Sequence, residues 1–173
     1  KAHQDKSRTA AKGMFKGGLA DHSEEVVKLH TATHLVHQAL RTILGNHVQQ
    51  KGSNITAERL RFDFSHPTKL TEEEIKKIEN LVNQKIKEDL KISFKVTTYE
   101  DAMKEGALAF FGERYPEKVK VYTIGPSASS GSPFSREICG GPHVEHTGVL
   151  GTFKITREEA LGAGTRRIYA VVS

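Results

Sequence analysis

Four side chains in this sequence have the types and spacing of metal ligands. His30 and His34 lie four residues apart in a stretch of helical periodicity, so their rings project from one face, one turn apart. Much later, Cys139-Gly140-Gly141-Pro142-His143 offers a thiolate and a third imidazole, and its glycines let the backbone turn so that both side chains face one point. Three histidines and one cysteine suit zinc, which accepts nitrogen and sulfur ligands in a tetrahedron. We therefore predict a zinc site at His30, His34, Cys139 and His143.

Two alternatives to this interpretation stay open at the level of spacing. A pair of histidines four apart on a helix is common by chance, and a zinc ion with four protein ligands is usually structural, whereas a catalytic zinc needs an open position. His37 competes for the site because it follows His34 by three residues. We treat His37 as a structural or surface residue, together with the histidines that have no partner at ligand spacing: His3, His22, His47, His66 and His146.

The elements that must position these side chains are read from apolar periodicity. A helix is predicted from Ser23, as N-cap, to Leu44, and a second one follows Thr71 in a capping box with Glu74 and ends near Leu90. Leu70 and Ile75 are placed to form a hydrophobic staple. The remaining predicted elements are a strand at Glu58–Ser65, strands at about 92–98, 118–124, 133–139, 149–156 and 166–172, and a short helix at Tyr99–Glu105. These elements predict an α+β fold with two long helices over a mainly antiparallel sheet, and a zinc site between the first helix and a late strand-turn.

Length and composition restrict the class of protein. The chain has 173 residues with a net charge of +5, enough for one domain plus an arm, and a basic domain can attract a phosphate backbone. One cysteine excludes an internal disulfide and fits the reducing cytoplasm, and no apolar run is long enough for a transmembrane helix. We interpret residues 1–22 as a linker or arm and residues 23–173 as the domain.

Six stretches follow one another along almost the whole chain: Phe15–His22, Leu29–Leu35, His47–Ser53, Leu60–His66, Glu137–Val144 and Gly162–Val171. Together they resemble the editing domain of bacterial alanyl-tRNA synthetases. A related domain occurs in threonyl-tRNA synthetase and in free-standing alanyl-tRNA deacylases. The resemblance implies an aminoacyl-tRNA deacylase, as a fragment or shortened relative of an alanine-tRNA ligase, that hydrolyses seryl- and glycyl-tRNA formed in error on alanine tRNA. It implies the same four zinc ligands, a catalytic part for Cys139, and a catalytic and substrate-binding part for Gln50 near the ester.

Substrate choice directs attention to residues beside the helix ligands. A polar group placed to bond the serine hydroxyl goes unpaired with alanine, and Thr31 and Thr33 are candidates for that role, although a packing threonine is the alternative.

Pro142 departs from the family pattern, where many relatives carry threonine, and proline removes a backbone donor. Four cations are candidates for contacts with acceptor-stem phosphates, or else lie on a solvated face: Lys12, Lys16, Arg166 and Arg167.

The same residues exclude one competing function and leave another open. A metalloprotease is excluded because Thr31-Ala32-Thr33 follows His30, where the His-Glu-x-x-His type requires a glutamate base. The remaining alternative is a tRNA-binding module with a purely structural zinc. Both interpretations expect a tRNA 3′ end as partner, together with other domains of a parent synthetase, and neither expects a membrane.

Overall fold

The fold consists of two antiparallel sheets on either side of a long buried helix. The computed structural model describes residues 18–110, 114–126 and 131–173. In chain order the elements are α1 (Glu24–Leu44), β1 (Gln50–Ile55), β2 (Leu60–Ser65), α2 (Glu72–Lys87), β3 (Ile92–Thr98), α3 (Tyr99–Lys104), β4 (Lys118–Ile124), β5 (Ser135–Ile138), a 3₁₀ turn (Thr147–Leu150), β6 (Phe153–Ala160) and β7 (Thr165–Val172). Among these residues, neither long helix carries an apolar stretch sufficient to cross a membrane.

The larger sheet has the strand order β1-β2-β7-β6 and packs against both long helices. Alternation along β2 turns Phe62 and Phe64 into the core, where both are fully buried together with Ile168 of β7. Helix α2 presents its apolar stripe, including Ile78, to this layer. Burial of these large side chains is the main contribution that this layer makes to stability.

Helix α1 lies between the larger sheet and strand β5 of the smaller one. Every residue from Leu29 to His37 is buried, on the polar as well as the apolar positions of the helix. A helix segment buried on all sides cannot leave its polar side chains solvated, so each needs a partner inside the protein. The histidines of α1 therefore lie in the interior rather than on a solvent face.

The smaller sheet has the order β3-β4-β5. One of its faces packs against α3 in a separate small core, in which Ala102 and Val121 are fully buried beside Val119 and Ile138. The opposite face carries Cys139 just after β5. This sheet thus brings the late strand-turn of the sequence against α1.

Most predicted elements are confirmed, and the α+β class with antiparallel pairing is correct. The predicted strand at 149–156 is wrong in its first half, because Thr147–Leu150 forms a 3₁₀ turn and the strand begins at Phe153. Strand β1 was not predicted, since a bulge between Gln50 and Gly52 disrupts the alternation on which strand prediction depends. The second helix ends at Lys87 rather than near Leu90.

The N-cap and the domain boundary were both predicted at residue 23. Ser23 occupies the N-cap position of α1, but its side chain makes no capping hydrogen bond. The predicted arm at 1–22 lies outside the described residues except for 18–22, so the proposed boundary at residue 23 stays a prediction.

The capping box of α2 is present as predicted. The Thr71 hydroxyl accepts from the Glu74 amide at 3.1 Å, and the Glu74 carboxylate accepts from the Thr71 amide at 3.0 Å. We expect Thr71→Ala to lower the free energy of unfolding by about 1 kcal/mol, because an N-terminal amide of the helix loses its acceptor. Urea denaturation measures this loss. Thr71→Ser keeps the hydroxyl and is the matched control; an equal loss in both variants would contradict the capping role.

Candidate metal centre

The four predicted ligand residues lie together between α1 and the turn after β5. One ligand atom from each of His30, His34, Cys139 and His143 lies within 4.8 Å of the other three. The Cys139 Sγ lies 3.4 Å from Nε2 of His30 and 3.4 Å from Nε2 of His143. The ring centroids of His30 and His143 are 4.3 Å apart, as are those of His34 and His143. This group could hold a single metal ion.

The turn that carries Cys139 and His143 depends on Gly141. Its φ is +74°, a left-handed conformation that strongly favours glycine, and a Cβ at this position would lie 2.4 Å from the Tyr122 hydroxyl oxygen. The Cys139 amide donates to the Lys120 carbonyl at 3.1 Å, which attaches the turn to β4. The glycines predicted to allow a sharp turn thus include one that the backbone requires.

Each of the three histidines has its Nδ1 engaged by an acceptor of the chain. His30 Nδ1–H donates to the Pro142 carbonyl at 2.8 Å. His34 Nδ1 lies 3.3 Å from a carboxylate oxygen of Glu137. A ring whose Nδ1 carries the proton presents the lone pair of Nε2, the arrangement in which imidazole binds a metal.

His143 is held in the same way by Thr31. The Thr31 hydroxyl donates its one proton to the Val27 carbonyl at 3.2 Å, so it accepts from His143 Nδ1–H at 3.0 Å. It also accepts from the Val144 amide at 3.2 Å. Thr31 is fully buried and does not line the cleft described below. Its hydroxyl therefore orients a histidine, and of the two threonines predicted to contact substrate only Thr33 has access to the cleft.

Burial sets the protonation of the site. It lowers the pKa of His30 to about 4, with His34 adding to the effect, and it also lowers the pKa of His34 and His143. Burial raises the pKa of the Cys139 thiol to about 12. The imidazoles are accordingly neutral near pH 7 and able to donate lone pairs, whereas the thiol loses its proton only when a cation takes its place.

Glu137 is a candidate site residue that the sequence did not indicate. It is 7% exposed, and its carboxylate lies between His34 and His37, with His37 Nδ1 at 2.6 Å. Burial alone would raise the pKa of Glu137, but His34, His37 and the hydrogen bond from His37 outweigh it and lower the pKa to about 2. His37 itself lies outside the group of four and packs with its ring 5.3 Å from that of Phe62.

A cleft of about 650 Å³ is lined by three of the four candidate ligands. Gln50, at the start of β1, and Thr33 line the same cleft as His30, His34 and Cys139. The Thr33 hydroxyl donates to the Leu29 carbonyl at 2.9 Å, which leaves its oxygen able to accept. The predicted polar residue and the candidate ligands thus share one cavity, although they come from distant parts of the sequence.

The cations of the site differ from those that the sequence suggested. Arg167 is paired with Asp63 through Nε at 2.7 Å and through a second nitrogen at 3.0 Å, and Arg166 is paired with Glu158. Arg61, Lys118 and Lys120 line the cleft instead, as its described basic residues apart from histidine. Lys12 and Lys16 lie outside the described residues. Pro142 contributes its carbonyl to His30, a contact that any residue can make with its backbone.

Comparison with known proteins shows that the chain is similar to part of the alanine–tRNA ligases. The family described as threonyl and alanyl tRNA synthetase second additional domain matches residues 119–169, which include Cys139 and His143. Alanine–tRNA ligase of Treponema denticola is 58% identical over 99% of the chain, and that of Borrelia hermsii is 54% identical over 99%. The enzyme of Nitrosomonas europaea is 49% identical over 82% of the chain. The chain spans about 28% of the length of the first two relatives and 16% of the third.

Proposed function

Because this chain corresponds to the editing-domain region of alanyl-tRNA synthetases, we propose that it hydrolyses the ester bond of mischarged alanine tRNA, with seryl-tRNA and glycyl-tRNA as substrates. One observation carries the proposal: His30, His34, Cys139 and His143 form one group, and the first three of them line a cleft that is also lined by Gln50 and Thr33. Hydrolysis of an aminoacyl ester requires an activated water, a polarised carbonyl and a bound 3′-terminal adenosine. A metal site open to a cleft of this size meets these requirements.

The residues present fit a zinc ion. Three neutral imidazoles with Nε2 available, and one thiol, form the donor set that zinc prefers, and the Nδ1 contacts fix the orientation of each ring. Zinc bound by His30, His34, Cys139 and His143 would supply a Lewis acid next to the reacting ester.

The chain's own residues bind and orient the substrate in this proposal. The Gln50 amide can donate to the ester carbonyl and accept from an incoming water, since it offers both donors and an acceptor. Buried Glu137 holds His34 from behind, and the cations at the cleft attract the RNA phosphates. Cys139 serves as a ligand, because burial keeps its thiol protonated when no cation is bound.

Thr33 is the proposed determinant of selectivity. Its oxygen can accept a hydrogen bond from the hydroxyl of a bound seryl group, because the threonine proton is already used on Leu29. An alanyl group would leave that acceptor unpaired, and a site with an unpaired polar group discriminates against the smaller substrate. Glycine, which lacks any side chain, gains nothing from this contact, so serine is expected to be removed faster.

A second candidate function is tRNA binding with a purely structural zinc. The observation that favours it is the presence of four protein donors, because structural zinc sites are usually filled by four protein ligands. In that case the chain would bind the tRNA 3′ end without hydrolysing it.

A deacylation assay separates the two functions. The zinc-loaded chain is incubated with seryl-tRNA and alanyl-tRNA, before and after removal of the metal by a chelator. We expect release of serine well above release of alanine, lost on chelation and restored by zinc. Serine release that chelation leaves unchanged would contradict the metal's part in hydrolysis. No release from the zinc-loaded chain would favour the binding function.

Glu137 gives a prediction about the metal itself. We expect Glu137→Gln to weaken zinc binding by about 10- to 100-fold, because the amide keeps the size of the side chain but no longer provides an ionised acceptor to His34. Competition with a chelator of known affinity measures the change. Glu100→Gln, at an exposed position on α3, is the matched control. Equal zinc affinity in the two variants would show that Glu137 does not support the site.

A further inference from the structure

The face of the smaller sheet that carries Glu137 and Cys139 is here called the metal-side face. It continues beyond the cleft onto β3 and β4. In the antiparallel register Phe94 lies opposite Tyr122, and Val96 lies opposite Lys120. Directly opposed residues point to the same face. The Tyr122 ring lies 4.4 Å from that of His143, so this face is the one on which the metal ligands lie. Phe94 in turn lies 5.3 Å from Tyr122, two ring contacts from a candidate ligand.

This part of the face is open. At one end of this face Ile92, Tyr122 and Ile124 are buried in the main core, whereas farther along the strands Phe94 is 52% exposed and Val96 is 58% exposed. Among the described residues these two are the most exposed of the large apolar side chains. The small core on the opposite face is formed by Val119 and Val121 of β4 with Ile138 of β5, so this core does not include the ring at position 94.

Cations border the exposed ring. The Lys120 Nζ lies 4.7 Å from the centroid of Phe94, and Lys118 lies two residues before Lys120 on the same face of β4. Both lysines also line the cleft, as does Arg61, which is paired with Asp63 at 3.4 Å. Among the described residues Glu137 is the only acidic one lining the cleft, and its carboxylate is engaged by two histidines.

An open aromatic ring flanked by lysines has the chemistry of a single-stranded nucleic-acid platform. A base stacks on the ring, and the phosphates on either side pair with the cations. Two exposed apolar side chains offer too little area for a stable protein interface, whereas stacking of one base needs only one ring.

We infer that the open face of β3 and β4 binds the unpaired 3′ strand of the RNA just upstream of the terminal nucleotide. Phe94 stacks on one base of that strand, Lys118 and Lys120 contact its phosphates, and the terminal nucleotide enters the cleft at Gln50 and the metal ligands. This inference rests on the proposed function, in that it takes the RNA 3′ end as the ligand, and it adds a binding surface outside the cleft.

The test compares binding of two hairpin RNAs, neither of them aminoacylated, to the zinc-loaded chain by fluorescence anisotropy. One hairpin ends in four unpaired 3′ nucleotides and the other is blunt. We expect the chain to bind the hairpin with the overhang more tightly, and Phe94→Ala to weaken that binding by about tenfold. Phe94→Trp should retain it, whereas Phe94→Leu should lose as much as alanine, because leucine is apolar but cannot stack. Leu161→Ala, an exposed apolar residue on the β6–β7 turn, is the matched control and should bind as the unchanged chain does.

The proposed contacts between the lysines and the RNA phosphates are tested by the salt dependence of the binding affinity. We expect Lys118→Gln to reduce the slope of log affinity against log salt by about 0.7, the value for one phosphate contact on a single strand. Equal binding of the two hairpins, or unchanged binding by Phe94→Ala, would overturn the inference.

Because neither RNA carries an amino acid, hydrolysis is not needed for this result. Overhang binding that depends on Phe94, in a chain that releases no serine, would contradict the proposed hydrolysis and leave the binding surface intact. Serine release with binding that does not depend on Phe94 would do the reverse.

Discussion

Replacing Cys139 by alanine is expected to abolish stoichiometric zinc binding and to lower hydrolysis of seryl-tRNA by more than about 100-fold. Loss of a residue that only hydrogen-bonds a metal ligand already costs up to about 100-fold, and loss of the ligand itself should cost more. The reason is geometric. The Cys139 Sγ lies 3.4 Å from Nε2 of two histidines and is the one anionic donor that the group of four can supply. Without it, three neutral imidazoles would have to hold the dication with no charged ligand among them.

Metal content and activity are measured on the same preparation. Zinc is quantified by mass spectrometry of freshly purified protein, and serine release is followed under single-turnover conditions. Val149→Ala, at an exposed position in the 3₁₀ turn, is the control for handling and folding. Full activity in Cys139→Ala would contradict the ligand assignment, whether or not zinc remained bound.

Replacing Phe62 by alanine is expected to lower the free energy of unfolding by about 3–5 kcal/mol. Phe62 is fully buried in β2, faces α1 across the core, and has its ring 6.1 Å from Phe64 and 5.3 Å from His37. Alanine would leave a cavity that two packed layers cannot close, so the lost transfer energy and the cavity cost add.

The matched control for Phe62 is the same substitution at an exposed site. Phe94→Ala removes an identical side chain from a position that is 52% exposed, and surface changes of this kind usually alter stability by less than about 0.5 kcal/mol. Guanidinium denaturation of both variants gives the comparison. Similar losses at the two positions would show that the cavity term does not dominate at Phe62.

The sequence predicts well those elements whose pattern is strong and local. Helices α1 and α2 follow from periodic apolar residues, and the capping box at Thr71 and Glu74 appears as expected. Strand β1 could not be found this way, because its polar residues and its bulge at Gln50–Gly52 give no alternation. The division into two sheets also escaped prediction, because α1 separates them only in three dimensions.

The candidate site shows the same limit. The four candidate ligands can be selected by residue type, since one cysteine and a histidine pair are conspicuous in the sequence. Glu137 could not be selected, because its contact with His34 and His37 depends on the placement of β5 against α1. Thr31 and Thr33 are equivalent in sequence, yet the packing of α1 directs one to a histidine and the other to the cleft.

The spacing of the candidate ligands along the chain has a consequence for folding. His30 and Cys139 are 109 residues apart, so a metal held by both closes a loop of more than half the chain. For a covalent cross-link of similar length the chain-entropy account gives a stabilisation of about 4–5 kcal/mol, and a tightly held ion would act on the unfolded state in the same sense. Because the early helix and the late turn must already be docked before all four donors can meet, metal capture would report completion of the fold. Reversible loss of the ion would therefore be expected to loosen the smaller sheet from α1 before the larger sheet opens.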